Sequence, residues 1–219
     1  MNQSVILVGA CLENIELCED CGIEVVGIID NNLTGYYFDV PILGSDGDVA
    51  EIAAKYSKKV KLSLTQDMPA VRKRLCDYYA NIGFEFMSIV SPEARISKRS
   101  AIGRGAVVQM GVNIASNTSI GDFANLNTCA NIMHDCVIGS FATVAPNAVV
   151  LGRVEVGEYV YIGANSTILP NLCIESNAVI GAGAVVTKNV PADATVAGVP
   201  AKRLVKTSEG QMMSDFKNI

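Results

Sequence analysis

An aliphatic residue recurs every six positions through the second half of the chain. All 17 registered positions from Val90 to Val186 hold Ile, Val or Leu. The position four residues after each of them is mostly small, as at Ala124, Ala130 and Ala142. A period of six is neither the 3.6 of a helix nor the 2 of a plain strand. It predicts a short strand and a corner, repeated, with the aliphatic side chains stacked from coil to coil inside a narrow core.

The preceding residues follow a different pattern, in which apolar strands alternate with helices. We predict strands over residues 5–9, 25–30, 60–64 and 84–89, and helices over 12–20, 48–56 and 68–79. This alternation is typical of a small, parallel, Rossmann-like sheet. The charge changes at the same place, since residues 1–89 hold 7 Lys and Arg against 13 Asp and Glu, whereas residues 90–206 hold 9 against 7. We therefore predict an α/β domain over 1–88, a repeat domain over 89–206 and a flexible tail over 207–219.

Composition argues against several classes of function. A net charge of −5 disfavours a nucleic-acid-binding surface. There is no uninterrupted apolar run long enough for a transmembrane helix, and the first residues lack the basic region of a signal peptide. The seven cysteines form no disulfide framework and suit a reducing compartment. We expect a cytoplasmic protein that binds neither nucleic acid nor membrane.

The repeat resembles that of the hexapeptide-repeat acyltransferases, whose left-handed parallel β-helix has 18 residues in each triangular coil. The segment from Ala197 to Lys206, AGVPAKRLVK, is similar to the C-terminal segment of their acetyl-CoA-dependent branch. The α/β domain in front narrows the resemblance to bacterial sialic acid O-acetyltransferases and UDP-4-amino-sugar N-acetyltransferases. The resemblance implies a homotrimer with acetyl-CoA bound between neighbouring chains, and a small-molecule sugar or sugar-nucleotide substrate that receives an acetyl group on nitrogen or oxygen.

The chain contains one histidine, His134, in the segment NIMHDC. A residue two places after the inward-facing Ile132 lies near a corner and can face outward. An imidazole with a pKa near ~6.5 suits a general base at neutral pH. The resemblance implies that His134 is that base, that Asp135 orients it, and that Asn127 is a nearby polar group. It also implies that the backbone N–H of Gly152, 18 residues further on, binds the oxyanion and the thioester of the cofactor.

Contacts with the cofactor are expected further along the repeat. Thr143 stands where some relatives carry a second histidine that contacts acetyl-CoA. The resemblance places the pantetheine arm beside Ala164 and Ala182. Three cations could meet the CoA phosphates, although solvated surface charge explains them equally well: Lys188, Lys202 and Arg203.

Substrate binding is expected at the ends of the first two strands. The loop Gly9-Ala10-Cys11 takes the place of a glycine-rich loop in relatives, but it is shorter and lacks the glycines of a phosphate cradle. Asp30 and Asn31 end the second strand, where relatives touch the nucleotide. An alternative is that the first domain keeps the fold of its relatives but binds a different ligand.

Three other functions compete with sugar acetylation. A carbonic-anhydrase-like zinc enzyme on the same β-helix needs three histidine ligands, and the chain has one histidine, so we expect no metal. A non-catalytic trimeric scaffold or binding protein would not need the NIMHDC motif to be intact. An acyltransferase that acts on a small molecule other than a sugar remains an alternative.

Overall fold

The first part of the chain forms an α/β unit in the computed structural model, which describes residues 3–56, 60–206 and 212–214. Strands from the centre of its sheet are fully buried, because α1 packs on one side and α2 and α3 on the other. The elements in chain order are β1 (Ser4–Val8), α1 (Leu12–Asp20), β2 (Glu24–Ile29), β3 (Tyr36–Tyr37), β4 (Val40–Gly44), a 3-10 turn (Asp46–Asp48), α2 (Val49–Tyr56), β5 (Lys61–Leu64) and α3 (Pro69–Ile82).

The sheet of this unit differs from the predicted one at its edges. Its strand order is β3-β4-β2-β1-β5, and β1 pairs in parallel with β2 and β5. The prediction of a fourth strand over 84–89 is wrong, because Phe86 makes only a single bridge to Leu62. The sheet instead gains the antiparallel pair β3 and β4. The turn between them holds Phe38 at a φ of 54°, where Asn or Gly usually marks a hairpin, so the sequence carried no hairpin signal.

The second part of the chain is a triangular prism of very short strands. There are 17 of them, each two residues long, and they give way to one another at corners. Their bounds are β6 (Ile89–Val90), β7 (Arg95–Ile96), β8 (Ala101–Ile102), β9 (Val107–Val108), β10 (Asn113–Ile114), β11 (Ser119–Ile120), β12 (Asn125–Leu126), β13 (Asn131–Ile132), β14 (Val137–Ile138), β15 (Thr143–Val144), β16 (Val149–Val150), β17 (Glu155–Val156), β18 (Tyr161–Ile162), β19 (Thr167–Ile168), β20 (Cys173–Ile174), β21 (Val179–Ile180) and β22 (Val185–Val186).

Three parallel sheets form the faces of the prism. The first face runs through β6, β9, β12, β15, β18 and β21, the second through β7, β10, β13, β16, β19 and β22, and the third through β8, β11, β14, β17 and β20. Asn113 pairs with Asn131, which pairs with Val149, so one coil takes 18 residues. This confirms the predicted left-handed parallel β-helix.

The interior has the stacking that the repeat predicts. Leu126, Ile132 and Ile138 are almost fully buried, as are the small residues Ala130 and Cys136 four positions after an aliphatic one. The corners between faces place non-glycine residues in the left-handed region, among them Asp135 at a φ of 60°. A non-glycine residue in this conformation lowers the stability of the fold by about 1–2 kcal/mol. A hydrogen bond to the coil below offsets part of this cost, as when the Asp135 N–H donates to the Ser116 carbonyl at 3.0 Å.

The C-terminal segment returns along the first face. Strand β23 (Thr195–Ala197) extends that sheet in parallel, and β24 (Lys202–Lys206) and β25 (Met212–Ser214) follow as antiparallel strands. The segment 207–219, which we predicted to be a flexible tail, therefore contains a strand at 212–214. Its other residues lie outside the described part of the chain.

The α/β unit is joined to the prism through Arg72, which is 1% exposed. Its guanidinium donates to the carbonyls of Gln66 and Asp67 in its own unit and to those of Phe123 and Phe141 in the prism. Burial lowers the pKa of Arg72 to about 10, so the group stays charged at neutral pH. This contact sets the position of the first domain against the first face.

Candidate active site

His134 lies at the corner between the second and third faces, directly after β13. Residues 134, 152, 170 and 188 stack there 18 positions apart, and we call this column the His134 corner. The corner turns the imidazole outward, so its side chain is 48% exposed. Its Nδ1 lies 2.7 Å from Oδ2 of Asp135. Two neighbouring side chains can meet in this way because Asp135 has a left-handed backbone instead of the alternating backbone of a strand.

Asp135 is itself held by Asn117 from the coil below. Nδ2 of Asn117 donates to Oδ1 of Asp135 at 2.7 Å. The hydrogen bonds from Asn117 and His134 keep the pKa of Asp135 below its ordinary value. The carboxylate therefore stays ionised, favours the proton on Nδ1 of His134 and leaves Nε2 as the basic nitrogen. The sequence analysis treated Asn117 only as a corner residue, although its offset of 18 from Asp135 could have indicated this pairing.

Gly152 stands against the imidazole on the next coil. A Cβ at position 152 would lie 2.7 Å from both Cε1 and Nε2 of His134. Gly152 is not among the residues with positive φ. Its backbone conformation therefore does not require glycine, whereas the close approach of the imidazole does. Within the described residues, no acceptor takes the Gly152 N–H. That N–H is therefore available to a ligand.

Asn127 is not part of this group. It follows β12 at the corner between the first and second faces, and its Nδ2 donates to Oδ1 of Asp67 at 3.0 Å. Asn125 donates to the same oxygen at 2.8 Å. The structure therefore places Asn127 against the α/β unit and records no contact between it and His134.

The position of Thr143 differs from the expected contact with acetyl-CoA. It is fully buried, and its hydroxyl donates to the Asp67 carbonyl and accepts from Arg72 at 3.0 Å. Because its hydroxyl is enclosed between the two units, Thr143 cannot contact a bound ligand.

The remaining residues proposed for the cofactor lie at three places. Ala164, half-buried, and Ala182, exposed, stack at the corner between the first and second faces, one corner away from His134. Lys188 is exposed and belongs to the His134 corner, three coils from the imidazole. Lys202 and Arg203 begin β24, where Lys202 is half-buried and Arg203 exposed.

The residues proposed for the substrate line a cleft between the α/β unit and the prism. Gly9, Ala10, Cys11 and Asp30 line this cleft, which has a volume of about 530 Å³. Asn127 lies on its opposite wall. Asn31 lies outside it and contributes instead to an adjacent hollow of about 190 Å³, with its Nδ2 bonded to Asp46 at 2.7 Å.

Two further observations concern possible partners. No group of three or more His, Cys, Asp or Glu able to hold a metal ion occurs among the residues that the structure describes. In the same part of the chain, no helix is long and apolar enough to cross a membrane.

Comparisons with known proteins concern the repeat and the overall fold. A family described as bacterial transferase hexapeptide (six repeats) matches residues 153–188. The perosamine N-acetyltransferase of Caulobacter crescentus, solved as a histidine-to-asparagine variant with CoA and GDP-perosamine, superposes with a TM-score of 0.86 at 28% identity. That match covers 91% of this chain and 96% of the other. No curated protein sequence matches the chain.

The repeat model and the 28%-identical structure together support a hexapeptide-repeat acetyltransferase. WeeI from Acinetobacter baumannii AYE is similar in the same way, with a TM-score of 0.83 at 27% identity over 93% of this chain and 100% of that one. The acetyltransferase domain of PglB from Neisseria gonorrhoeae FA1090, at 24% identity and a TM-score of 0.82, shows the same fold over 93% of this chain and 100% of that one. The acetyltransferase shares with these structures both the α/β unit and the prism.

Proposed function

We propose that the acetyltransferase moves an acetyl group from acetyl-CoA to an amino or hydroxyl group of a bacterial sugar, free or nucleotide-linked. The observation that carries the proposal is the contact of the His134 imidazole edge with Gly152, while Asp135 holds Nδ1. The basic nitrogen thus neighbours a glycine whose backbone N–H has no acceptor among the described residues. Acyl transfer needs both, one for the proton of the nucleophile and one for the developing oxyanion.

The reaction proceeds by direct attack in this proposal. Nε2 of His134 takes the proton as the acceptor nitrogen or oxygen adds to the thioester carbonyl. The carbonyl oxygen becomes an oxyanion that accepts a hydrogen bond from the Gly152 N–H. The C–S bond then breaks, the carbonyl re-forms, and the proton on His134 passes to the departing CoA thiolate. Asp135 stays ionised throughout and keeps the imidazole aligned.

An acyl-enzyme is not part of this mechanism. Cys136, two residues from the base, is 1% exposed and its thiol donates to the Leu151 carbonyl at 3.1 Å. Burial raises the pKa of this thiol, which opposes formation of the nucleophilic thiolate.

The ligands of similar proteins support the choice of donor and acceptor. The Caulobacter structure holds CoA and GDP-perosamine, and the PglB domain has been solved with acetyl coenzyme A. We accordingly assign the prism, residues 89–206, to acetyl-CoA and catalysis, and the α/β unit, residues 1–88, to the acceptor. All seven cysteines are free, which is consistent with a cytoplasmic reaction.

We include a homotrimer in the proposal. Large apolar side chains recur 18 residues apart along the second face next to the His134 corner, at Met133, Leu151 and Leu169. Met133 and Leu151 are half-buried, and Leu169 is 36% exposed. An apolar stripe of this kind is typical of a surface that a neighbouring chain covers. Three prisms packed side by side would place each His134 in a groove between chains, where acetyl-CoA would bind.

Replacement of the base tests the proposal. CoA release from acetyl-CoA is measured with a panel of free amino sugars, sialic acids and nucleotide-linked amino sugars, for the native chain and for His134→Ala. We expect turnover with at least one acceptor and a fall of about 10²–10⁴-fold in the variant, while the affinity for acetyl-CoA stays nearly unchanged. Equal turnover by the variant, or no turnover by the native chain with any sugar, would refute the proposal.

A further inference from the structure

The Cys136 thiol lies inside the prism next to the reacting centre, and the proposed mechanism gives it no chemical step. Its sulfur lies 3.1 Å from the Leu151 carbonyl oxygen and 3.6 Å from the His134 carbonyl oxygen. A thiol has one proton to donate, so the nearer carbonyl, that of Leu151, receives it. This carbonyl and the Gly152 N–H belong to one planar peptide group. Cys136 therefore contacts the peptide that carries the proposed oxyanion donor.

Cys136 is the last of three hydrogen-bond donors stacked 18 residues apart on the inner side of the His134 corner. Oγ of Ser100 donates to the Ala115 carbonyl at 2.7 Å, and Oγ1 of Thr118 donates to the Met133 carbonyl at 2.8 Å. The thiol makes the corresponding contact one coil higher. The equivalent inward positions of the other two corners, between residues 94 and 184, hold alanine or valine in all but one case. The column of donors therefore distinguishes the corner that carries the site.

These side chains take the place of a backbone hydrogen bond that closes many turns at the other corners. There, the turn carbonyl accepts the N–H three residues further on, as the Asn127 carbonyl does from Ala130 at 3.0 Å and the Gly139 carbonyl from Ala142 at 3.2 Å. In the part of the chain that the structure describes, the Leu151 carbonyl accepts no backbone N–H. The orientation of the Leu151–Gly152 peptide therefore depends on the thiol from the coil below.

We propose that Cys136 is a positioning residue, which holds the Leu151–Gly152 peptide with its N–H directed at the bound thioester. The hydrogen bond to the Leu151 carbonyl also polarises this peptide and strengthens its N–H as a donor. Without the thiol, the carbonyl is free to turn to the Val154 N–H, which now bonds to the Cys136 sulfur. The Gly152 N–H would turn with it. This role rests on the proposed function for the use of the N–H, whereas the state of the peptide can be measured without turnover.

Cys136→Ala and Cys136→Ser test the thiol as a donor. Alanine fits the site, because it stands at equivalent buried positions such as Ala130 and Ala142, and serine makes the same contact at position 100. We expect kcat for CoA release to fall about 3–10-fold in Cys136→Ala and to recover in Cys136→Ser. The KM values should stay unchanged, because the bond to the oxyanion forms fully only in the transition state. Native kcat in Cys136→Ala, or no recovery in Cys136→Ser, would overturn the inference.

Ser100→Ala is the matched control. Ser100 makes the same kind of hydrogen bond two coils below Cys136, away from Gly152. Its loss should lower the thermal stability, as the loss of the thiol does, but leave kcat unchanged. Equal losses of kcat in Ser100→Ala and Cys136→Ala would contradict a specific role of Cys136, since the effect would then come from general loosening of the prism.

The amide resonance of Gly152 reports the peptide directly. Isotope-labelled glycine makes the 19 glycine amides visible, and Gly152→Ala identifies the resonance by its loss. It should shift in Cys136→Ala, return towards its native position in Cys136→Ser and stay in place in Ser100→Ala. An unmoved resonance in Cys136→Ala overturns the positioning role even if the native chain acetylates a sugar. A shifted resonance in a chain that releases no CoA with any sugar leaves the thiol contact standing and removes the proposed function.

Discussion

Replacement of Gly152 by alanine separates the stability of this protein from its catalysis. The new Cβ would lie 2.7 Å from Cε1 and Nε2 and 3.3 Å from Cδ2 of His134. A contact below 3.0 Å is too close, so one of the two groups must move. The imidazole is the part that can move, because it ends a half-exposed side chain, whereas Gly152 belongs to a closely stacked coil. We therefore expect the ring to rotate away from the Gly152 N–H.

The size of the effect follows from the two groups involved. Loss of alignment between base and oxyanion donor should cost about as much as removal of an oxyanion donor, roughly 2.7–4 kcal/mol or 10²–10³-fold in kcat. Stability should change in the opposite direction. Since φ at Gly152 is not positive, alanine fits the backbone and should stabilise the fold by about 0.4–1 kcal/mol through the unfolded chain.

Three measurements check this expectation. CoA release gives kcat, thermal unfolding gives stability, and the imidazole resonances report the ring directly, because the chain has a single histidine. Gly121→Ala is the contrasting control, since its Cβ would lie 2.5 Å from the backbone nitrogen of Ser140 and should lower stability without changing kcat of the folded protein. Full activity of Gly152→Ala with unmoved imidazole resonances would show that our reading of this contact is wrong.

Three other variants test single contacts. Asn117→Ala removes a hydrogen bond that holds the pKa of Asp135 down, so the pKa of Asp135 should rise towards its ordinary value in a carboxyl NMR titration; Asn177→Ala, another left-handed corner residue, should leave that pKa in place, and an unmoved pKa in Asn117→Ala would contradict the hydrogen-bonded pair. Arg72→Met should lower the free energy of unfolding in urea by about 3 kcal/mol or more, because several buried carbonyls lose a charged donor; Arg74→Met, exposed on the same helix, is the control, and equal losses would count against the buried contact. Thr143→Val should destabilise the protein by about 1–3 kcal/mol and leave KM for acetyl-CoA unchanged, whereas a raised KM with unchanged stability would restore Thr143 as a cofactor residue.

The repeat domain could be predicted almost completely from the sequence. Its six-residue period is unbroken, so the position of each aliphatic residue from Val90 to Val186 in the repeat can be read directly from the sequence. The 18-residue coil then places Gly152 on the same corner as His134. The α/β unit was less predictable at its edges. The turn at Phe38 has no Asn or Gly to mark it. The apolar side chains of residues 84–89 would suit either a strand or a connection to the prism, so the sequence does not distinguish the two.

The site was predictable where it depends on coil register and unpredictable where it depends on docking. Arg72 resembles any basic residue of an amphipathic helix in sequence, and only the packing of the two units buries it and encloses Thr143. Asn127 is seven residues from His134 along the chain, but it lies at a different corner of the prism and contacts the α/β unit.

The sequence by itself determined the prism, the outward position of its one imidazole and the glycine one coil away, because a periodic chain has only one way to stack its aliphatic residues. The tertiary structure decided what surrounds them. It showed that Gly152 is a glycine because a ring lies against it, that Asn117 holds Asp135, and that a cleft opens between the two units. Those facts come from contacts between residues far apart in the chain, and no local pattern encodes such contacts.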